Sequence, residues 1–274
     1  MRKALQHFLL VALWFFGTWL VLSSINFTEI LNIEQMTKEN ERKLGELILD
    51  VIRENHEEVE VDSVLKYVVG LKDLICGANN IENSSLTVHI ISNENVNAFA
   101  LPNRHLVVNS GLIGYCSSPE EFTGILAHEI AHIELRHVMQ KLVKEVGLMM
   151  LMTITGGESG SRIMRGVANT LSSTAFDRKQ ESEADASAVE YLEHAGIDPE
   201  HLASFLFRLS REKGNIPKYF ELLSTHPNSS DRAAEILRVR KRQNFNPRPI
   251  GGGVEAWKMF QEHVNDISNL NLDD

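Results

Sequence analysis

Residues 118–132 read SPEEFTGILAHEIAH and contain the pattern H-E-x-x-H. Histidines four positions apart lie on the same face of a helix, so the imidazoles of His128 and His132 can reach one metal ion. Glu129 would then lie beside the open coordination position. The stretch predicts a helix that carries a zinc hydrolase site.

The helix around this motif has clear start signals. Ser118 can cap it, Pro119 takes the first helical position, and Glu121 follows the cap by three residues. We predict that this helix runs from about Ser118 to Lys144. It can be a core element that carries its polar cluster into a cleft, because one side is apolar: Phe122, Ile125, Leu126, Ile130 and Ile133.

Two histidines do not complete a catalytic zinc site, which usually takes three protein ligands and leaves one position for water. His137 is the nearest further candidate in the sequence. On a continuing helix it would point away from the face that carries His128 and His132. We therefore interpret His137 as a structural or exposed residue.

A better candidate for the third ligand lies downstream, in a second predicted helix from about Ser172 to Ala195. Glu181 and Asp185 are four positions apart and share one face of that helix, so both carboxylates could approach the site together. The same residues are also typical of a solvated acidic helix surface, and Glu183 on another face fits that second interpretation.

Four blocks of sequence resemble peptidase family M48, the HtpX-like gluzincins, and more narrowly its bacterial periplasmic members. The resemblance covers roughly residues 86–236. In chain order the blocks are NAFALP (97–102) with VVNSGL (107–112), HEIAH (128–132), ESEAD (181–185), and THP (225–227) with Arg232.

The resemblance implies a complete metal site. Its zinc ligands are His128, His132 and Glu181, with one Zn²⁺ ion per subunit. Glu129 is the general base, and Asp185 supports a ligand histidine from outside the ligand set. The implied fold is α+β: a mainly helical zincin-type metallopeptidase domain with a small β-sheet that lines the active-site cleft.

The family pattern also brings His226 and Arg232 into the cleft as catalytic residues. Both are candidates for stabilising charge on the oxygen of the peptide carbonyl. Without the resemblance, His226 would be a turn residue before Pro227 and Arg232 an exposed helix charge. The role of His226 stays open, because its ring could either assist catalysis or occupy the open zinc position at rest.

Two short runs rich in Val, Ile and Leu, at residues 86–91 and 104–109, predict the small sheet together with the stretch of mixed polarity between them, at residues 96–101. In the family an edge strand of this sheet can pair with an extended peptide, a mode that needs unfolded or flexible substrates. Asn97, Ala98 and Phe99 would be the substrate-binding stretch here. Many family members have two glycines where this chain has Asn103 and Arg104, which places the geometry of the following turn in question.

The N-terminal segment, residues 1–27, predicts a membrane anchor or a signal peptide. Arg2 and Lys3 precede an apolar run at residues 8–22, whose length lies between a signal-peptide core and a membrane span. An uncleaved anchor is our first interpretation. The rest of the chain would lie on the periplasmic side of a membrane, or free in the periplasm after cleavage.

The rest of the chain divides into three predicted parts. Residues 28–85 form a helical part that packs on the catalytic core, residues 86–242 are the peptidase core, and residues 243–274 are a linker and a C-terminal helix. The apolar run at 147–155 is too short to span a bilayer and predicts a buried helix. The glycine-rich stretch at 156–161 predicts a loop that could cover the cleft.

Charge and cysteine content argue against nucleic-acid binding and against a zinc site made of cysteines. With 27 basic and 37 acidic residues, the net charge of −10 argues against nucleic-acid binding. The only cysteines, Cys76 and Cys116, are too few and too far apart for a zinc site and are compatible with one disulfide.

Taken with the resemblance, the sequence indicates a zinc metalloendopeptidase that cleaves unfolded or misassembled membrane and envelope proteins in protein quality control. Its partners would be unfolded or misfolded polypeptides, and the membrane through the N-terminal segment. The alternative is a chaperone or assembly factor for envelope proteins that keeps the fold with little proteolysis. An intact Glu129 favours catalysis, because a binding module has no need of a base beside the metal.

Overall fold

Helices and one small sheet make up the computed structural model, which describes residues 38–147, 161–212, 221–240, 250 and 252–270, with six isolated positions between 6 and 17. The helices are α1 (Lys38–Asn55), α2 (Asp62–Ala78), α3 (Ser110–Tyr115), α4 (Pro119–Glu134), α5 (His137–Val146), α6 (Ser161–Ser173), α7 (Arg178–His194), α8 (Glu200–Arg211), α9 (Glu221–Thr225), α10 (Ser229–Val239) and α11 (Gly253–Leu270). The strands are β1 (Thr87–Ile91), β2 (Ala98–Leu101) and β3 (His105–Asn109). The predicted α+β class, mainly helical with a small sheet, is confirmed.

The sheet has the order β1-β3-β2, so β3 is central and β2 lies at an edge. β1 pairs with β3 in parallel, with Thr87 opposite His105. β2 pairs with β3 in antiparallel fashion, with Ala98 opposite Val108. Every residue of β3 is buried, as expected for a short apolar strand with a neighbour on each side.

The connection from β2 to β3 forms without glycine. Asn103 and Arg104 both adopt a φ of 60°, a conformation that Asn tolerates and that is unfavourable for Arg. The Arg104 side chain is fixed at both ends of its guanidinium: Nη1 lies 2.6 Å from Glu134 and Nη2 donates to the carbonyl of Glu82 at 3.0 Å. These contacts hold the strained residue in place.

Helix α4 lies at the centre of the fold. The hydroxyl of Ser118 accepts a hydrogen bond from the Glu121 amide at 3.2 Å, and the Glu121 carboxylate accepts from the Ser117 amide at 2.7 Å. This reciprocal cap starts the helix where the sequence predicts it. The helix packs against α2, α7, α8 and β2, and its buried positions include all of 121–133.

The prediction of one helix from Ser118 to Lys144 is wrong. Helix α4 ends at Glu134, and Arg136 takes the left-handed conformation with a φ of 58° before α5 begins at His137. A left-handed residue commonly ends a helix, but it is usually glycine or asparagine. Arg136 is stabilised here by an ion pair with Glu41 of α1 at 2.8 Å.

The predicted helix from Ser172 to Ala195 is also divided. Helix α6 ends at Ser173 and α7 begins at Arg178. Asp177 starts α7 through a capping box, because its carboxylate accepts from the amides of Lys179 and Gln180 while the Gln180 side chain accepts from the Asp177 amide. The four residues between the helices carry Phe176 toward the site.

The flanking helices pack on this core. Helix α1 contacts α6 and the Pro102–Arg104 turn, and α2 contacts α4, α7 and β1. Helix α11 packs on α3, and its Trp257 donates from Nε1 to the carbonyl of Cys116 at 2.9 Å. Cys76 and Cys116 are buried free thiols, so no disulfide joins them.

Several predicted segments lie outside the described residues: nearly all of the N-terminal segment at 1–27, the apolar run from 148 onward, the glycine-rich stretch before 161, and most of the linker at 241–251. In the part of the chain that the structure describes, no helix has the length and apolar character needed to cross a membrane.

Candidate metal centre and active site

Helix α4 presents three of the site residues from two successive turns. His128, Glu129 and His132 are 3%, 0% and 0% exposed. The Nε2 atoms of the two histidines lie 3.1 Å apart, as the four-residue spacing on one helix face requires. The polar cluster is therefore enclosed within the fold and converges on one point.

Helix α7 brings Glu181 to the same point. Its Oε1 lies 3.6 Å from His132 Nε2, and its Oε2 lies 3.7 Å from His128 Nε2. His226, which directly follows α9, completes the group: its Nδ1 lies 3.2 Å from His128 Nε2 and 2.9 Å from Glu181 Oε1. One donor atom from each of these four buried residues lies within 4.8 Å of all the others.

The chemistry of this donor set fits a zinc ion. Ring nitrogens of His128, His132 and His226 converge at 3.1 and 3.2 Å, and their lone pairs would repel one another without a proton or cation between them. Imidazole nitrogens and a carboxylate oxygen are the ligands that zinc prefers in hydrolases. Burial and the neighbouring histidine His128 hold the pKa of His132 well below its usual value, which keeps its ring neutral and able to bind metal.

The outer nitrogens of both α4 histidines also have partners. His128 Nδ1 lies 3.0 Å from Asp185 Oδ1. His132 Nδ1 lies 3.1 Å from His137 Nδ1, and His137 Nε2 lies 3.3 Å from Glu183. Such contacts fix the tautomer and orientation of a ligand histidine and leave Nε2 for the metal.

His137 is thus neither a cluster member nor an exposed residue. It is 2% exposed, and the break at Arg136 redirects α5 so that the His137 ring contacts His132. The expectation that His137 points away from that face assumed one continuous helix. Glu183, interpreted as a solvated residue, is exposed but contacts His137.

Arg232, on α10, connects the carboxylates of α7. Its Nε and Nη2 each lie 2.7 Å from an oxygen of Asp185, and its Nη1 lies 2.5 Å from Glu181 Oε2. Its Nη2 also lies 3.3 Å from His128 Nε2. Arg232 is 7% exposed, so its guanidinium balances two buried carboxylates at the centre of the site.

The electrostatic environment gives Glu129 and Glu181 very different pKa values. Burial raises the pKa of Glu129 to about 7, and Glu181 adds to the increase while His128 and Arg232 oppose it. Burial also works against ionisation of Glu181, but His226 and Arg232 outweigh it and lower the pKa of Glu181 to about 2. Glu181 is a permanent anion suited to bind metal, whereas Glu129 can take up and release a proton near neutrality.

Two residues near the cluster were missed by the sequence analysis. Phe176 stacks on His132 with ring centres 3.9 Å apart, and its amide donates to the carbonyl of Thr225, next to His226, at 3.1 Å. Lys141 Nζ lies 4.3 Å from the centre of the Phe176 ring and donates to the carbonyls of Leu171 and Thr174. No sequence motif marks either residue. Their positions near the cluster follow from the breaks in the two predicted helices.

The predicted substrate stretch belongs to β2 and its approach. Asn97 and Ala98 are buried and Phe99 is half-buried. The carbonyl of Asn97 accepts from the amide of Asn109 at 3.1 Å, so in the antiparallel pattern Ala98 and Ala100 direct their backbone groups away from β3. The amide of Ala100 lowers the pKa of Glu129, so the outward side of β2 lies next to this carboxylate.

Comparison with known proteins finds a peptidase family and relatives that are named as proteases. The sequence model of Peptidase family M48 matches residues 69–240. The chain is similar to the beta-barrel assembly-enhancing protease of Yersinia pestis, at 27% identity over 66% of this chain and 39% of that protein. It is also similar to the mitochondrial metalloendopeptidase OMA1 of Schizosaccharomyces pombe, at 24% identity over 71% and 58%, and of Arabidopsis thaliana, at 30% identity over 59% and 33%. The chain spans less than two thirds of the length of these relatives.

Proposed function

The chain belongs to peptidase family M48, and from this premise we propose that it is a zinc-dependent endopeptidase that cleaves unfolded or misassembled envelope proteins. The observation that carries the proposal is the convergence of His128, His132 and Glu181 on one point beside the buried carboxylate of Glu129. Metal ligands alone would suit a structural site. A carboxylate beside them whose pKa is about 7 suits hydrolysis.

His128, His132 and Glu181 would hold one zinc ion. When bound, zinc would make a water molecule acidic near neutrality and polarise the carbonyl of the scissile peptide. Asp185 keeps His128 oriented through its 3.0 Å contact, and Arg232 keeps Asp185 and Glu181 in place by compensating their charges. We assign Asp185 and Arg232 to positioning, because the guanidinium nitrogens are already engaged by these carboxylates.

Glu129 is the general base. Its carboxylate accepts a proton from the attacking water and delivers it to the amine that leaves, so it acts twice in one turnover. Burial supports both steps, since it raises the pKa of Glu129 into the range where each proton transfer is feasible. The Nε2 atom of His226 lies 3.3 Å from Glu129 Oε1, which supports a role for His226 as a hydrogen-bond donor to the carbonyl oxygen once its ring has moved.

His226 has a second proposed role at rest. Its Nδ1 lies with the three proposed ligand atoms, so with zinc bound the ring would occupy the position that the attacking water needs. The resting state is then inhibited, and substrate binding requires the ring to turn aside. The same ring, once displaced, remains near enough to donate to the carbonyl oxygen.

The substrate would bind as an added strand on the outward side of β2. Ala98 offers a backbone donor and acceptor there and Ala100 offers its carbonyl, and an extended peptide can pair with these groups. A cavity of about 530 Å³ opens beside Phe99, lined also by residues of α1 and α6 such as Ile52 and Ala168. Folded proteins keep exposed edge strands short or protected, which favours unfolded or misassembled substrates.

The envelope setting is supported by the N-terminal sequence and by the name of one relative. One relative is named for beta-barrel assembly and another for the mitochondrion. Arg2 and Lys3 before an apolar run would anchor the chain, with the peptidase core at 86–242 on the periplasmic side. A chaperone or assembly factor with little proteolysis would share this location but would not depend on Glu129.

The test is cleavage of unfolded casein by the full zinc-loaded chain, with the Glu129→Gln variant as its pair. Glutamine keeps the shape of the side chain but cannot accept the proton, so we expect zinc to stay bound and cleavage to fall by at least about a hundredfold. Equal cleavage by both proteins would overturn the proposal. Binding of casein without cleavage by either would favour the chaperone alternative.

A further inference from the structure

A small cavity adjoins the catalytic residues between α4, α8 and α9. Glu129, His226 and Arg232 form its polar wall, and His128 contributes one edge. The remaining wall is apolar and comes from α4, α8 and α9: Ile125, Leu202, Phe205, Leu206 and Leu222. Its volume is about 10 Å³, which is room for about one water molecule.

The size of this cavity is set by a close helix crossing. A methyl group built at Gly124 of α4 would lie 3.0 Å from the Cβ of Leu202 and 3.3 Å from its Cα. The absence of a side chain at Gly124 therefore lets α8 approach α4 more closely than another residue would allow. This approach brings Leu202, Phe205 and Leu206 against Ile125, one turn before Glu129.

The position of Glu129 decides which part of a substrate faces the cavity. This inference rests on the proposed function, in which Glu129 returns its proton to the leaving amine. The residue that contributes this amine follows the scissile bond, so its side chain is the one nearest to Glu129. The cavity then receives the side chain of the residue immediately after the cut.

We infer that this cavity is a specificity pocket that selects a small residue (glycine, alanine or serine) immediately after the scissile bond. A methyl or hydroxymethyl group fits the available space, whereas leucine or phenylalanine would have to displace buried side chains. Leu206, Phe205 and Ile125 are the specificity-determining residues, and they act by contact with the substrate side chain.

The experiment uses the full zinc-loaded chain and begins with the sites it cuts in unfolded casein, identified by mass spectrometry. One such site is then made as a pair of peptides that carry alanine or leucine after the scissile bond. Wild type should favour the alanine peptide in kcat/KM by at least about tenfold, because each excess methylene costs that much in a closed apolar pocket.

Leu206→Ala removes three carbon atoms from the wall and should raise the leucine-to-alanine ratio of kcat/KM by at least about tenfold. Leu209→Ala is the matched control: Leu209 is a fully buried leucine of the same helix that does not line the cavity. It should keep the wild-type preference. Ile125→Val removes one carbon atom from the opposite wall and so enlarges the cavity. It should shift the ratio the same way, and it serves as the second variant if Leu206→Ala does not fold.

Three results would overturn the inference. Wild type could cut equally well before leucine and alanine, the wall variants could leave the ratio unchanged, or Leu209→Ala could change it as much as Leu206→Ala. Each of these leaves the proposed function intact, because cleavage that depends on Glu129 is still present. Absence of any Glu129-dependent cleavage would overturn the proposed function, and this inference with it.

Discussion

Arg232 and Asp185 form a buried ion pair in which Nε and Nη2 of the guanidinium each lie 2.7 Å from one carboxylate oxygen. The Oδ1 atom of Asp185 also lies 3.0 Å from His128 Nδ1. One carboxylate therefore orients a proposed metal ligand and neutralises the arginine that also contacts Glu181. Burial works against its ionisation, but Arg232 holds the pKa of Asp185 well below its usual value.

Asp185→Asn should weaken zinc binding about 10- to 100-fold, because His128 loses an anionic partner and Arg232 loses one of its two counter-charges. The dissociation constant can be measured by competition with a chromophoric chelator. Asp198→Asn is the control, since Asp198 forms an ion pair with Arg240 at 2.9 Å away from the cluster. Unchanged affinity in Asp185→Asn would show that Asp185 does not support the metal site.

His226→Ala should open the fourth position without loss of zinc. A small hydroxamate must displace the His226 ring in the wild type but not in the variant, so its apparent affinity should rise by at least about tenfold. The measurement is inhibitor binding by calorimetry on zinc-loaded protein, with zinc content determined in parallel. Equal or weaker hydroxamate binding by the variant would exclude a resting state in which His226 occupies that position.

We expect Lys141 to make the free energy of unfolding depend on pH. Burial lowers its pKa from 10.5 to about 8, so between these pH values the unfolded chain binds more protons than the folded chain. The free energy of unfolding should then rise with pH in this range, by about 3 kcal/mol from this residue. Below pH 8 both states carry the charge and the slope from Lys141 disappears.

Lys141→Met removes this contribution. Denaturant titrations between pH 8 and 10.5 should give a flatter pH dependence for the variant than for the wild type. Lys66→Met is the control, because the Lys66 side chain is 80% exposed. Parallel curves for the wild type and Lys141→Met would show that Lys141 keeps an ordinary pKa in the folded protein.

Local sequence signals predicted the start of α4 and the three strands. Ser118, Pro119 and Glu121 act within a few residues of one another, so the cap depends on local contacts and can be predicted from local sequence. The strand runs are short, and β1, β2 and β3 lie inside the predicted ranges. The family membership followed from spaced blocks that no single motif would have identified.

The helix breaks could not be predicted in this way, because they depend on distant contacts. Arg136 takes a left-handed conformation with support from Glu41, 95 positions earlier in the sequence. A glycine would have marked the break, but none is present. The contacts of His137, Phe176 and Lys141 with the site all follow from these breaks, so they appear only once the tertiary structure is known.

The most direct test of a catalytic zinc site with Glu181 as a ligand compares zinc content and casein cleavage in Glu181→Gln and Glu190→Gln. Both residues lie on α7, but Glu181 is buried in the cluster and Glu190 is exposed. We expect Glu181→Gln to lose zinc and cleavage together, because the cluster then keeps only neutral imidazoles and loses its one anionic ligand. Glu190→Gln should retain one zinc ion per chain and full cleavage. Retention of zinc and cleavage by Glu181→Gln would show that Glu181 is not a ligand of the catalytic metal.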